Sequence, residues 1–142
     1  MSGSPLVGLG LGKAVEQTVV LNQNVTTTGA GSVSSTPIDV SMYEADILVL
    51  VSARASGTGT MSIGVEESNA AGSGFAPVMA DALVDVYGEN DTFSNVAAEA
   101  SHQMLVVKKS LLKKYLRVTL SGTNLDQEVA IVITGQKRFT YR

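Results

Sequence analysis

The chain has 142 residues, 44% hydrophobic and only 16% charged, with a net charge of −3, no cysteine, no tryptophan and a single histidine, His102. A length of this order makes one domain around one core, and the lack of cysteine excludes disulfide staples and thiolate chemistry. No basic segment precedes a hydrophobic one, since the first cation is Lys13, and no apolar run approaches the ~20 residues that span a bilayer, so the sequence reads as soluble and unprocessed.

The charged fraction lies below the usual ~25%, which implies that surplus apolar surface is spent on contacts with other chains. The charge is also uneven. Residues 108–142 carry +6 and residues 1–107 carry −9. A fold that interleaves distant segments scatters such charges over solvated faces; an acidic side and a basic side that dock on oppositely charged neighbours is the sharper reading.

Residues 1–16 read as a glycine-rich arm. Gly3, Gly8, Gly10 and Gly12 alternate with Leu6, Val7, Leu9 and Leu11, and so much glycine favours neither helix nor regular strand. The Gly8–Gly12 run lacks the spacing and the preceding strand of a phosphate-cradling loop. Leu6, Val7, Leu9 and Leu11, with Lys13, are therefore expected to be partner-binding residues of a flexible arm that orders on a groove or strand edge. Ordering a dozen residues costs roughly 12–24 kcal/mol of backbone entropy.

Residues 17–142 read as short strands joined by Gly, Ser, Thr and Asn turns. Gln17–Leu21 is the first strand, 22–35 a turn-rich stretch, and Thr36–Val40 the second strand. Ala45–Arg54 is a continuous apolar run, expected to be a central strand covered on both faces. The turn at 56–59 predicts an antiparallel hairpin between this run and Thr60–Glu67, where Met61, Ile63 and Val65 share one face. A loop at 68–74 leads to Phe75–Met79. Leu83–Tyr87 follows, with Val84 and Val86 expected inward. The polar stretch 88–101 offers one helical turn at Asn95–Glu99. Gln103–Val107 is a strand and Ser110–Lys114 a tight turn or basic corner. Tyr115–Leu120 and Glu128–Gly135, joined through 121–126, read as the clearest hairpin, with Val129, Ile131 and Ile133 inward. Eight or nine such strands without a long amphipathic helix predict an all-β antiparallel sandwich or jelly roll, and leave no room for the crossover helices of a parallel α/β sheet.

In the order Ile38-Asp39-Val40, Ile47 to Val51, Met61 to Ser68, Phe75 to Val78, Lys114 to Val118 and Val129 to Lys137, this pattern resembles the small β-sandwich head decoration, or cement, proteins of tailed double-stranded DNA phages. The likeness covers roughly residues 36–138; it departs in the longer stretch between Ala80 and His102, and the arm lies outside it. The resemblance implies a non-enzymatic virion protein on the capsid exterior, made in the host cytoplasm. It would bind the major capsid protein at junctions between shell subunits, as a trimer or dimer, and stabilise the head.

The residues themselves offer little chemistry. His102 stands at a strand start without metal-ligand partners. Glu66 and Glu67 are neighbours in a strand and point to opposite faces, so they make a poor carboxylate pair and are read as solvated. Asp81, Asp85, Glu89 and Asp91 lack the oxygen spacing of a calcium loop. Lys108, Lys109, Lys113, Lys114 and Arg117 form a basic patch beside Tyr115, but a pI near 5.0 and 5% aromatic residues lack the electrostatic footprint of a nucleic-acid binder. Lys137, Arg138, Phe139, Tyr141 and Arg142 alternate cation and aromatic, residue types that dominate interface hot spots, and are assigned to an oligomer interface. No cofactor, metal, nucleic acid or membrane partner is expected. The competing reading is a carbohydrate- or receptor-binding module, with Tyr43 and Tyr87 as its ring platforms. A cupin-like enzyme would need several histidines at one metal.

Overall fold

The structure, a computed structural model, describes residues 13–55, 60–85, 92–97 and 100–138, with the backbone alone at 13, 14, 55, 85 and 138. Ten strands are described: β1 (Lys13–Thr26), β2 (Ala30–Ser34), β3 (Ile38–Asp39), β4 (Ile47–Ala55), β5 (Ser62–Ser68), β6 (Ala76–Pro77), β7 (Leu83–Asp85), β8 (Ser101–Val107), β9 (Tyr115–Thr123) and β10 (Asp126–Arg138). Two antiparallel sheets result. The first runs in the order β1-β10-β4-β8-β7; the second runs β2-β9-β5-β6, with β3 also on β9. The all-β antiparallel sandwich read from the turn spacing is the observed architecture.

Strict alternation builds the core, because successive side chains of a strand point to opposite faces. In β10, Val129, Ile131 and Ile133 are buried; in β9 it is Leu116, Val118 and Leu120; in β4 it is Ile47, Val49, Val51 and Ala53. Met61, Ile63 and Val65 are buried as the pattern predicts. β1 carries one extra residue at Val20, where the register with β10 steps from Val19–Val132 to Leu21–Ile131. Such a bulge turns two consecutive side chains to the same side, and Val20 and Leu21 are both buried.

Several expectations are corrected. Neither predicted hairpin forms. β4 and β5 lie in different sheets, as do β9 and β10, so both turns carry the chain across the sandwich. A turn signal marks a reversal of direction; whether the next strand pairs beside its predecessor or opposite it is decided by core packing. β1 begins at Lys13 and continues through Thr26 on β10, so residues 13–16 are strand rather than arm and the first strand does not stop at Leu21; the turn-rich stretch 22–35 holds the end of β1 and all of β2. Residues 1–12 lie outside the described residues.

On β7, Leu83 packs against the core opposite buried Val107, and Val84 pairs with half-buried Val106 on the other side. The inward side is therefore that of Leu83, not Val84. Val86 and Tyr87 lie outside the described residues. At 95–97 there is no helical turn, because Val96 bridges Met61 through a reciprocal pair of backbone hydrogen bonds of 2.8 Å; residues 98 and 99 lie outside the described ones. Single 3₁₀ turns occur at Ala80–Ala82 and at Lys109–Leu111, the second overlapping the tight turn expected over Ser110–Lys114.

Two sheet-to-sheet crossings are fastened to each other. The Asn124 side-chain oxygen accepts the Gly29 N–H at 2.7 Å, its own N–H donates to the Gly29 carbonyl at 2.9 Å, and Thr27 exchanges hydrogen bonds with Leu125. Asn124 has φ 51° and Gly29 φ 71°, left-handed conformations that Asn and Gly adopt most readily. This end of the sandwich is thereby closed by backbone groups that a shorter turn would leave unpaired.

Candidate functional site

The outward face of the first sheet differs from an ordinary solvated face. The ladders β1–β10, β10–β4 and β4–β8 align Val19, Val132, Leu50 and Met104 in one row across four strands. The next row toward the Lys13 end is Gln17, Thr134, Leu48, Val106 and Val84, and Val15 lies beyond it. Val15 and Val19 are 70% and 62% exposed, and Leu50 and Met104 37% each. Ala45–Arg54 was expected to be covered on both faces. β4 is indeed central in its sheet, but nothing among the described residues lies over Leu48 and Leu50, which is why an uninterrupted apolar run does not mean two covered faces.

The opposite half of the same face is polar. Asn22, Ala130, Ser52 and His102 form one row, and Asn24, Glu128 and Arg54 the next. A groove of about 510 Å³ runs over these residues. His102 is exposed, and its Nδ1 is 3.0 Å from the Ser52 hydroxyl. No signal short of the strand register could have brought Asn24, Arg54 and Glu128 together from the sequence.

The basic residues do not form one patch. Lys108, Lys113 and Lys114 are exposed around the Lys109–Leu111 turn, at the end of the sandwich where Asp39 and Asp46 also sit. The Lys109 N–H donates to Asp46 Oδ1 at 3.2 Å, and Lys114 Nζ lies 4.0 Å from Asp39 and 5.5 Å from the centre of the Tyr115 ring. The Ser41 hydroxyl and N–H, followed by the charge of Lys114, hold the Asp39 carboxyl below its ordinary value. Arg117 stands apart on the outward face of the second sheet: it pairs with Glu66 at 2.8 Å and covers the Phe75 ring at 4.0 Å.

The solvated reading of the two glutamates is overturned. Glu66 accepts from Arg117 and from the Thr119 hydroxyl at 2.7 Å. Glu67 points inward, is buried, and accepts the Lys113 N–H at 2.8 Å. Its position opposite Leu116 at the end of β5 lets the carboxylate reach the N–H of the β8–β9 connection, so it serves as a local bracket.

Tyr43 is no exposed ring platform. It is buried, its hydroxyl donates to Glu16 Oε1 at 3.0 Å, and Lys137 pairs with Glu16 at 3.0 Å while lying over the ring. Burial, then the adjacent Glu16 carboxylate, pushes the phenol up to about 12. The hydrogen bond from Lys137, then that from Tyr43, lowers the Glu16 carboxyl. Lys137, assigned to an oligomer interface, is thus engaged within its own chain. Arg138 ends β10 opposite Lys13, and Phe139, Tyr141 and Arg142 lie outside the described residues, as do Leu6, Val7, Leu9, Leu11, Glu89 and Asp91. Asp81 is exposed in the Ala80–Ala82 turn, and among the described residues no three His, Cys, Asp or Glu side chains cluster as metal ligands would.

Fold and face together define a two-sheet antiparallel β-sandwich with a half-apolar, half-polar outer surface. No known family model matches the chain, and no curated protein sequence does. Among solved structures, it is similar to the PBSX exported protein XepA, with a TM-score of 0.51 and 21% identity over 89% of this chain and 39% of that one. It is also similar to a chain of the infectious bursal disease virus Gx strain, with a TM-score of 0.50 and 6% identity over 86% of this chain and 33% of that one. A weaker likeness, at a TM-score of 0.43 and 10% identity, is to TmCBM61 in complex with β-1,4-galactotriose, covering 89% of this chain and 88% of that one. The chain thus spans about two fifths of the length of XepA and a third of the viral chain. At these identities the likeness is one of fold.

Proposed function

We propose that the chain is a virion protein of the decoration or cement class, which docks the outer face of its five-stranded sheet on the exterior of a phage capsid and acts by binding, without turnover. The observation that carries this reading is the row Val19, Val132, Leu50 and Met104, four apolar side chains in contiguous register on a solvent-facing sheet. The largest contiguous apolar patch on a soluble protein is often its interaction surface.

The size of the patch fits a lattice better than a solitary complex. The apolar row across four strands, with Leu48, Val106 and Val84 beside it, covers on the order of 200 Å² at the ~4.8 Å spacing of strands, well under the ~800 Å² per partner of a stable standard interface. One copy then binds weakly, and many copies, or an oligomer presenting several faces, convert modest contacts into high avidity. A trimer is the favoured assembly and a dimer the alternative, with the major capsid protein as the partner. Stiffness of the sandwich would let such a body resist movement between shell subunits.

The test is co-sedimentation of the purified full chain with undecorated shells of the phage that encodes it. Saturable binding by the natural chain and its loss in Leu50→Asp are expected; natural protein that stays folded in the supernatant would sink the proposal.

A further inference from the structure

We propose that the polar groove on the other half of this face is a binding site for a neutral saccharide. This rests on the groove alone and holds whether or not the apolar rows dock on a capsid.

The groove collects hydrogen-bonding groups of complementary kinds from four adjacent strands. Asn22 and Asn24 come from β1, Glu128 from β10, Ser52 and Arg54 from β4, and His102 from β8. Arg54 offers donors only, Glu128 acceptors only, and each asparagine amide both. A hydroxyl donates and accepts at once, so vicinal hydroxyls on a ring can satisfy such an array.

Charge argues for a neutral ligand. Arg54 and Glu128 are register partners across β4 and β10, where side chains opposite one another start ~5 Å apart. Both are exposed, and neither forms an ion pair with a described residue. An anion meets Glu128, and Asp126 beside Asn24, while a cation over the centre of the groove meets Arg54. An uncharged polyol meets neither penalty and gains charge-assisted hydrogen bonds from both.

Position and shape agree. Two groups are already oriented by neighbours: Nδ1 of His102 by Ser52, and the Asn24 amide, whose Nδ2 donates to Asp126 at 3.3 Å. At the centre of the floor stands Ala130, whose small side chain leaves room for a sugar ring to approach β10. The volume of about 510 Å³ falls within the ~300–1,000 Å³ of small-ligand sites. No Phe, Tyr or Trp ring lines the groove among the described residues. A single site therefore lacks stacking energy and binds weakly, and useful affinity comes from several copies acting together.

The experiment is a titration of the ¹⁵N-labelled full chain with neutral tri- and tetrasaccharides of glucose, galactose and N-acetylglucosamine, followed by amide correlation spectra, with a sulfated oligosaccharide in a parallel arm. Expected are saturable shifts of the Asn22 and Asn24 side-chain amides and of the Ala130 and His102 backbone for at least one neutral sugar. Arg54→Ala and Glu128→Ala should each weaken this about tenfold, the loss of a hydrogen bond to a charged group. Their own spectra report that they are folded. The proposal is overturned if no neutral sugar moves these signals, if both variants bind as the natural chain does, or if only the sulfated sugar binds. Leu50→Asp keeps the sugar response while losing shell binding, so the two proposals fail separately.

Discussion

Gly135→Ala isolates the bracket that holds β1, β10 and the segment before β4 together. A Cβ at position 135 would lie 2.6 Å from Cδ2 and Cε2 of Tyr43 and 2.9 Å from Cγ, against the ~3.5–4.0 Å of a relaxed carbon contact. The ring must therefore retreat by about 1 Å. It has little freedom to do so, because its hydroxyl is tied to Glu16, Glu16 is tied to Lys137, and Tyr43 itself bridges Lys137 through the backbone. Overpacking of this kind costs about 1–3 kcal/mol, and loss of the hydrogen bond to the charged Glu16 adds about 1.5–3 kcal/mol. The ~0.4–1 kcal/mol that a Gly→Ala change gains from the unfolded chain does not offset this. Urea unfolding of the full chain should show a net loss of about 2–5 kcal/mol with an unchanged denaturant slope. In a Tyr43→Ala background the same glycine substitution should cost under about 1 kcal/mol, since its collision partner is gone. A neutral Gly135→Ala, or an equal cost in both backgrounds, would refute the reasoning.

The same bracket sets a pH dependence. The Tyr43 phenol is raised to about 12, so its contribution to stability is complete below the ordinary value of 10.0 and falls as the pH climbs from there to about 12; alkaline unfolding followed by circular dichroism should lose this component in Tyr43→Phe. Glu16 is shifted the other way, so its contribution stands above the ordinary value of 4.5 and fades as the pH falls through its lowered folded value, an acid-side loss that Lys137→Met should diminish. Glu67→Ala leaves the Lys113 N–H without its acceptor and should cost about 1–3 kcal/mol in chemical denaturation, whereas Glu67→Gln keeps a carbonyl oxygen there and should cost less. Leu116→Ala, at a fully buried position between the sheets, should cost about 2–5 kcal/mol in the same assay.

Much of the fold was legible because alternation is a local signal. The inward sets of β5 and β10 follow from Met61, Ile63 and Val65 and from Val129, Ile131 and Ile133 without knowledge of their neighbours. Pairing is not local. The turns after Ala55 and Thr123 look like hairpins in sequence, yet the strands on either side of each lie in different sheets. Glu67 misled for a related reason: its acceptor role depends on Lys113, which is 46 residues away. The candidate site was hidden twice over. Val15 falls in the stretch read as an arm, Val19 reads as an ordinary strand residue until the bulge at Val20 divides inward from outward, and Asn24, Arg54 and Glu128 become neighbours only through the register of three strands.

The central proposal is that the apolar row of the five-stranded sheet is a docking face, and co-sedimentation with undecorated shells of the phage proposed to encode the chain measures it most directly. The account predicts saturable binding by the natural chain and loss of most of it in a Leu50→Asp variant whose circular dichroism shows it folded. Shell binding that survives in a folded Leu50→Asp variant, or a folded natural chain that binds no shell, would contradict it.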